Sequence, residues 1–314
     1  MGAWIDPPCH IHIANKSLNN GVVKYVGYKD VTPKMIDAIV RDNKIERIQI
    51  SEELPEKAYR LIDEILAKRQ DIYFRIFTVC EKPFDISFIK RMPHLSKIWI
   101  DAHLQKNQNA INCEYLCELP NLNGLHLDLF DRRDYNFINN LSPNLEELII
   151  MADTMGGAIK FDCQWLLQYK KLHSLFLGKK AKKNLEIISK ISELKKLSLR
   201  GIKVTDFSFL EALDLESLAL LWCENTDLSA LGELKSLREL ELWRIMKLED
   251  LSFISSLINL ESLKLQDLKH VSTLPDLSKL VKLRDIQLDN VPIALDALDE
   301  SVKKLIHKFP FSET

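Results

Sequence analysis

Glycine is scarce in this chain, nine in 314 residues. Phosphate-cradling loops rely on glycine for close backbone approach, and neither G-x-G-x-x-G nor a P-loop is present. G-x-S-x-G and H-E-x-x-H are also missing, so hydrolase-elbow and zinc-protease chemistry have no obvious carrier. Long apolar runs are missing too: nothing approaches the roughly 20 consecutive apolar residues of a membrane helix. The start, MGAWIDPPCHIH, has no basic segment ahead of an apolar run, so no secretory leader is expected. Asp6 stands where a myristoylation pattern requires Ser or Thr. Neither sign of charge dominates. A net charge of -2 gives no overall pull toward nucleic acid or an anionic membrane. The six cysteines (Cys9, Cys80, Cys113, Cys117, Cys163, Cys223) lack framework spacing, which fits reduced thiols in a cytoplasmic protein.

What the chain does contain is one phrase, repeated. LKKLSL, LESLAL, LRELEL, LESLKL and LRDIQL begin at Leu194, Leu215, Leu237, Leu260 and Leu283, an interval of 21 to 23 residues. Looser copies begin at Ile45, Phe74, Leu95, Leu122, Leu145 and Leu172, bringing the count to eleven. One such hexapeptide also fits a helix. Eleven at a near-constant interval signal a solenoid, in which each unit buries its apolar face only against its neighbours.

The phrase L-x-x-L-x-L at this interval resembles the leucine-rich-repeat family, in particular the short repeats of internalins and of phosphatase-regulating leucine-rich proteins. The resemblance covers about residues 45 to 298. It implies an α/β solenoid: a curved horseshoe with a parallel β-sheet on the concave face and helices or 3₁₀ turns on the convex face. Helices are expected outside the early, longer copies: one after Thr32-Pro33, another over Pro55 to Lys68. The family places Asn three residues after the hexapeptide. Here that position holds Ile202, Cys223, Ile245, Leu268 and Val291, so the bends must be held in another way.

Residues 1–30 lack the phrase. The alternation His10-Ile11-His12-Ile13 and the Asn/Gly-rich stretch from Asn15 to Gly21 predict two short strands and a turn, a β cap on the solenoid. The expected organisation is a capping segment over 1–30, about eleven repeats over 31–298, and a C-terminal cap over 299–314. Within that last cap, Glu300 to Lys308 has an amphipathic helical pattern.

The hexapeptide frame also gives a surface map. Its first, fourth and sixth residues point inward, so the third, fifth and seventh point outward, aligned repeat over repeat. Solvated strand faces should be polar. Between Trp99 and Arg244 this one is not: it carries Trp99, His126, Ile149, Met151, Phe176, Arg200, Leu221, Trp222, Trp243 and Arg244. Aromatic residues and arginine are enriched at binding hot spots. The expectation is a non-catalytic module that binds a protein partner through these residues, with no cofactor and no metal, as a monomer or weak oligomer. The plain alternative is that aromatic residues simply suit strands.

Two rival functions have residues to support them. Trp99, Trp222 and Trp243 would serve as stacking platforms for a glycan or small molecule. Cys9, His10 and His12 would serve a metal-dependent enzyme, although Cys9 and His10, being adjacent on a strand, face opposite sides. Cys113 and Cys117 read as a packed pair on an outer helix. Asp101 and Asp128 read as the rim of the binding face. The basic run Gly178-Lys-Lys-Ala-Lys-Lys183 reads as a solvated turn.

Overall fold

The structure, a computed structural model, describes residues 10–20, 24–77, 85–102, 111–130, 132–153, 157–204, 206–224 and 227–308. The chain divides into two units, Met1–Phe161 and Asp162–Thr314.

The first unit contains β1 (His10–Ala14), β2 (Leu18–Asn19), β3 (Lys24–Gly27), α1 (Pro33–Arg41), β4 (Arg47–Ile50), α2 (Glu56–Leu66), β5 (Tyr73–Phe77), β6 (Lys97–Asp101), β7 (Gly124–Asp128) and β8 (Glu147–Ile150). Its strands lie in the order β8-β7-β6-β5-β4-β1-β3-β2. All pair in parallel except β2 with β3. The N-terminal segment is therefore more than a separate cap. β1 pairs with β4, His10 opposite Arg47 and His12 opposite Gln49, as a first solenoid strand without the leucine phrase.

α1 begins where its sequence directs. Thr32 accepts a hydrogen bond from the Met35 amide, and Pro33 takes the first helical position. α2 buries Ala58, Tyr59, Ile62, Ile65 and Leu66 along one face. Beyond it the shorter repeats leave room only for 3₁₀ turns: Ile86–Arg91, Cys113–Glu118 and Asn136–Asn140. Cys113 and Cys117 thus sit on a 3₁₀ turn, with Cys113 buried.

The second unit contains β9 (Ser174–Gly178), β10 (Lys196–Arg200), β11 (Ser217–Leu221), β12 (Glu239–Trp243), β13 (Ser262–Gln266), β14 (Asp285–Asp289), α3 (Glu300–Lys303) and β15 (Ile306–Lys308). These strands are all parallel, in the order β15-β14-β13-β12-β11-β10-β9. Register stacks Leu197, Leu218, Leu240, Leu263 and Ile286 one over the next, each at most 1% exposed. Burying each such side chain contributes about 1.5–3 kcal/mol. The amphipathic stretch expected over Glu300 to Lys308 is helical only for its first turn. The exposed edge of β14 then recruits the rest as β15, with the Ile286 amide donating to the Leu305 carbonyl at 2.8 Å.

Two repeated devices hold the bends that lack the asparagine. On the turn side, Asp85, Asp134, Asp162, Asp206, Asp227, Asp250 and Asp276 each accept a hydrogen bond from the amide two residues on, at 2.8–3.0 Å. This Asx geometry starts six of the 3₁₀ turns and the bend at Asp276, and is written in the sequence as D-x-S in five of the seven.

On the strand side of the second unit, the residue that follows each of β9 to β14 is left-handed. Lys179, Gly201, Trp222, Arg244, Asp267 and Asn290 have φ of 35°, 62°, 58°, 55°, 51° and 51°. That rotation aims the amide at the next repeat. Lys179, Gly201, Trp222, Arg244 and Asp267 donate to the carbonyls of Arg200, Leu221, Trp243, Gln266 and Asp289 at 2.6–2.9 Å. Ile202, Cys223, Ile245 and Leu268, at the asparagine position, are buried. The Cys223 sulfur lies 3.6 Å from the Leu199 carbonyl and 3.7 Å from that of Leu221. Strands on every hexapeptide with 3₁₀ turns between them make the fold a leucine-rich-repeat solenoid.

Candidate partner-binding surface

On the first unit, register brings His12, Gln49, Arg75, Trp99, His126 and Ile149 into one outward row across β1, β4, β5, β6, β7 and β8. These side chains cover each other. Trp99 and His126 stack with centroids 4.2 Å apart and planes 10° apart. The Arg75 guanidinium carbon lies 4.0 Å from the Trp99 ring centre, and that of Arg47 lies 5.2 Å from it. Arg75 also donates to Gln49 Oε1 at 2.9 Å and pairs with Asp101. Arg75 and Asp101 are 8% exposed and His126 4%, so Asp101 belongs to a packed polar network and not to a wet rim.

Burial governs protonation here. Desolvation, aided by Arg75 and Arg47, holds the His126 imidazole well below the ordinary histidine range. Desolvation and the neighbouring His10 lower His12 to about 4. The His12 ring nitrogens lie 3.3 Å from Gln49 Nε2 and 2.9 Å from Ser51 Oγ. Among the described residues no three His, Cys, Asp or Glu side chains converge on a metal-sized site. Cys9 lies outside the described residues.

The neighbouring outward row runs Tyr73, Lys97, Gly124, Glu147. Glu147 accepts from the Tyr73 hydroxyl at 2.7 Å and from Lys97 Nζ at 2.9 Å. Tyr73 reaches across two strands because Gly124 has no side chain; a Cβ there would lie 2.9 Å from its hydroxyl. Burial, then the Glu147 charge, pushes the Tyr73 phenol well above its usual range.

On the second unit the chemistry gathers at the ends of the strands. Trp222 is flanked by the guanidinium carbons of Arg200 at 4.8 Å and Arg244 at 5.3 Å from its ring centre. Trp243 meets its edge, with centroids 5.5 Å apart and planes at 71°. Trp243 Nε1 donates to Asp267 at 3.0 Å, and Asp267 accepts also from Asn290 at 2.6 Å. Trp222 Nε1 is buried and has no acceptor among the described residues. Trp222, Cys223, Glu224, Arg244, Met246 and Lys247 line a groove beside this cluster.

The ten residues expected to face a partner fall into different settings. His126, Phe176 and Leu221 are 4–5% exposed. Trp99, Ile149, Met151, Arg200, Trp222 and Trp243 are half-buried, and Arg244 is exposed. The structure gathers Trp99 with His126, and separately Arg200, Trp222, Trp243 and Arg244. It adds Arg47, Gln49 and Arg75, which the sequence reading passed over, and moves Asp101 from the expected rim into the packed network. For Arg47, Gln49 and Asp101 the signal was available, since they occupy outward hexapeptide positions. Arg75 was hidden because the copy read from Phe74 is offset, Phe74 pairing with Ile48 and Ile98, the fourth residues of their copies.

No family model matches the chain, and no curated protein matches it. Among solved structures it is similar to internalin C2 of Listeria monocytogenes, at 23% identity over 57% of this chain and 77% of that one, with a TM-score of 0.43. It is similar to internalin F of the same organism, at 17% identity over 89% and 94%, TM-score 0.45. It is also similar to a chain of the Toll–Spatzle complex of Drosophila, at 14% identity over 85% and 42%, TM-score 0.46. The assignment of the fold rests on the chain's own repeats. No helix among the described residues is long and apolar enough to cross a membrane.

Proposed function

We propose that this protein is a non-catalytic interaction module that receives a protein partner on the outward strand face, with Arg200, Trp222, Trp243 and Arg244 as the principal anchors and the buried Leu221 packed beneath them. The observation that carries this reading is the packed Arg-Trp-Trp-Arg cluster, left half-exposed at the ends of adjacent strands. Tryptophan and arginine supply large contact areas and multiple donors, and their truncation at interfaces costs about 2 kcal/mol or more. Backbone ladders fix both ends of each strand, so the surface is preorganised and little ordering entropy is lost on binding. On the first unit by itself, Trp99, Ile149 and Met151 form a secondary surface supported by the buried His126; on the second unit the buried Phe176 supports the anchors from beneath.

The test is capture of a partner from the source cell by the wild-type chain and by a Trp222→Ala/Trp243→Ala variant, with circular dichroism as the folding control. A partner retained by the first and lost by the folded variant is expected. Equal capture by both would remove these residues from the site.

A further inference from the structure

The basic run that follows β9 does not stand alone. Lys179 occupies the same left-handed position as Gly201, Trp222 and Arg244, at the ends of adjoining strands of one unit. Lys179, Arg200, Lys203, Arg244 and Lys247 therefore share one edge of the sheet with Trp222, and Lys180, Lys182 and Lys183 extend it. Lys180, Lys182, Lys183, Lys203, Arg244 and Lys247 are exposed. Some of this charge is answered within the chain: Lys183 pairs with Asp162 at 2.8 Å and Lys203 with Glu224 at 3.2 Å. Arg244 differs. Its guanidinium rests on the Trp222 ring, and its charge is met at a distance by the Asp267 carboxylate, whose pKa it helps to lower. This concentration of cations stands out in a chain of net charge -2.

We infer that this strand-end edge takes a short acidic segment of a protein partner, its carboxylates meeting Arg244 and the flanking lysines while an apolar side chain beside them packs against Trp222 and Met246. The inference rests on the interaction-module reading and adds to it the chemistry of the partner. A guanidinium offers paired donors that match a carboxylate, and one already stacked on an aromatic ring has less rotamer freedom to lose. Size agrees. Four adjoining strand ends span about 14 Å at roughly 4.8 Å per strand, the length of about four to five extended residues. A single-stranded nucleic acid fits less well, because it needs successive ring faces to stack its bases, and here Trp243 meets Trp222 edge-on instead of offering a second parallel face.

The test uses fluorescein-labelled 12-residue peptides and anisotropy against the full chain. One peptide alternates Glu with Leu and Phe; a second carries Gln and a third Lys in place of Glu; a 12-nucleotide single-stranded DNA is the fourth probe. The acidic peptide is expected to bind, to weaken as salt rises, and to lose at least about tenfold in affinity in Arg244→Glu and in Trp222→Ala. Lys279→Glu, elsewhere on the unit, should leave its affinity unchanged. Equal binding of the Gln peptide, still lost in Trp222→Ala, would overturn the acidic preference while leaving the interaction reading in place. Tighter binding of DNA than of the acidic peptide, or no binding by any peptide, would overturn the inference. The capture experiment above judges the broader reading independently.

Discussion

Trp222 and Arg244 occupy the same position of successive repeats, and both leave their strands through left-handed backbone, at φ 58° and 55°, with the guanidinium carbon of one 5.3 Å from the ring centre of the other. For a residue with a Cβ, that conformation costs roughly 1–2 kcal/mol. Two large side chains are held there side by side, and the rotation that strains them also turns them out of the row of strands.

Replacing Arg244 separates backbone strain from side-chain use. Glycine relieves the strain, although its freer unfolded chain takes back about 0.4–1 kcal/mol. Valine, branched at Cβ, resists φ above zero more than arginine does. Arg244→Gly is therefore expected to melt at or slightly above wild type, and Arg244→Val measurably below it, with acidic-peptide binding lost in both. Thermal melts followed by circular dichroism decide this. A valine variant as stable as the glycine variant would mean that the turn does not hold its geometry.

Gly124 tests the first unit. A methyl group added there lies 2.9 Å from both the Tyr73 hydroxyl and Lys97 Cγ, so one of them must give way. Gly124→Ala is expected to cost about 1–3 kcal/mol, the range for an overfilled site. In a Tyr73→Phe background the hydroxyl is gone, and the same change should cost less. A double-mutant cycle by urea unfolding measures that coupling. Strict additivity would show that Tyr73 does not cross above Gly124.

The histidines of the outward row make stability depend on pH in a defined direction. His12, lowered to about 4, and His126, held well below its usual range, are neutral in the folded chain. The unfolded chain protonates both near 6.5. Between these values the unfolded state binds more protons, so stability is full above about pH 6.5 and falls as pH drops toward 4. A lower melting temperature at pH 5 than at pH 7.5 is expected, with a smaller drop in His12→Gln. An identical drop in the variant would exclude His12 as a source.

The leucine phrase located β4 and β6 through β14 in register because its inward positions recur wherever a strand must bury one face. At β5 the copy read from Phe74 is three residues out, since Phe74 pairs with Ile48 and Ile98. Thr32-Pro33 located α1 for an equally local reason. The misses were non-local. His10-Ile-His-Ile announces alternation but not its partner, so the pairing of β1 with β4 was not legible. Ile306 joins β14 because an open sheet edge lies beside it, which overrides the helical pattern that begins at Glu300. The burial of Arg75, Asp101 and His126 was hidden for another reason. Side chains on adjacent strands shield one another sideways, and a single strand's sequence reports only up and down. Among the candidate contacts, position was readable from the frame for all ten residues. Exposure was not, as the buried Phe176 and Leu221 illustrate.

The left-handed ladder carries a consequence for how this surface changes over time. Its hydrogen bonds run from main chain to main chain, and the residues that donate at its rungs are Lys, Gly, Trp, Arg and Asp. An asparagine ladder would tie each bend to one side chain and fix its identity. Here the bend makes no demand beyond tolerance of a positive φ, so each rung is an interchangeable tile. The chain can trade one recognition chemistry for another along this edge, a repeat at a time, without renegotiating its fold.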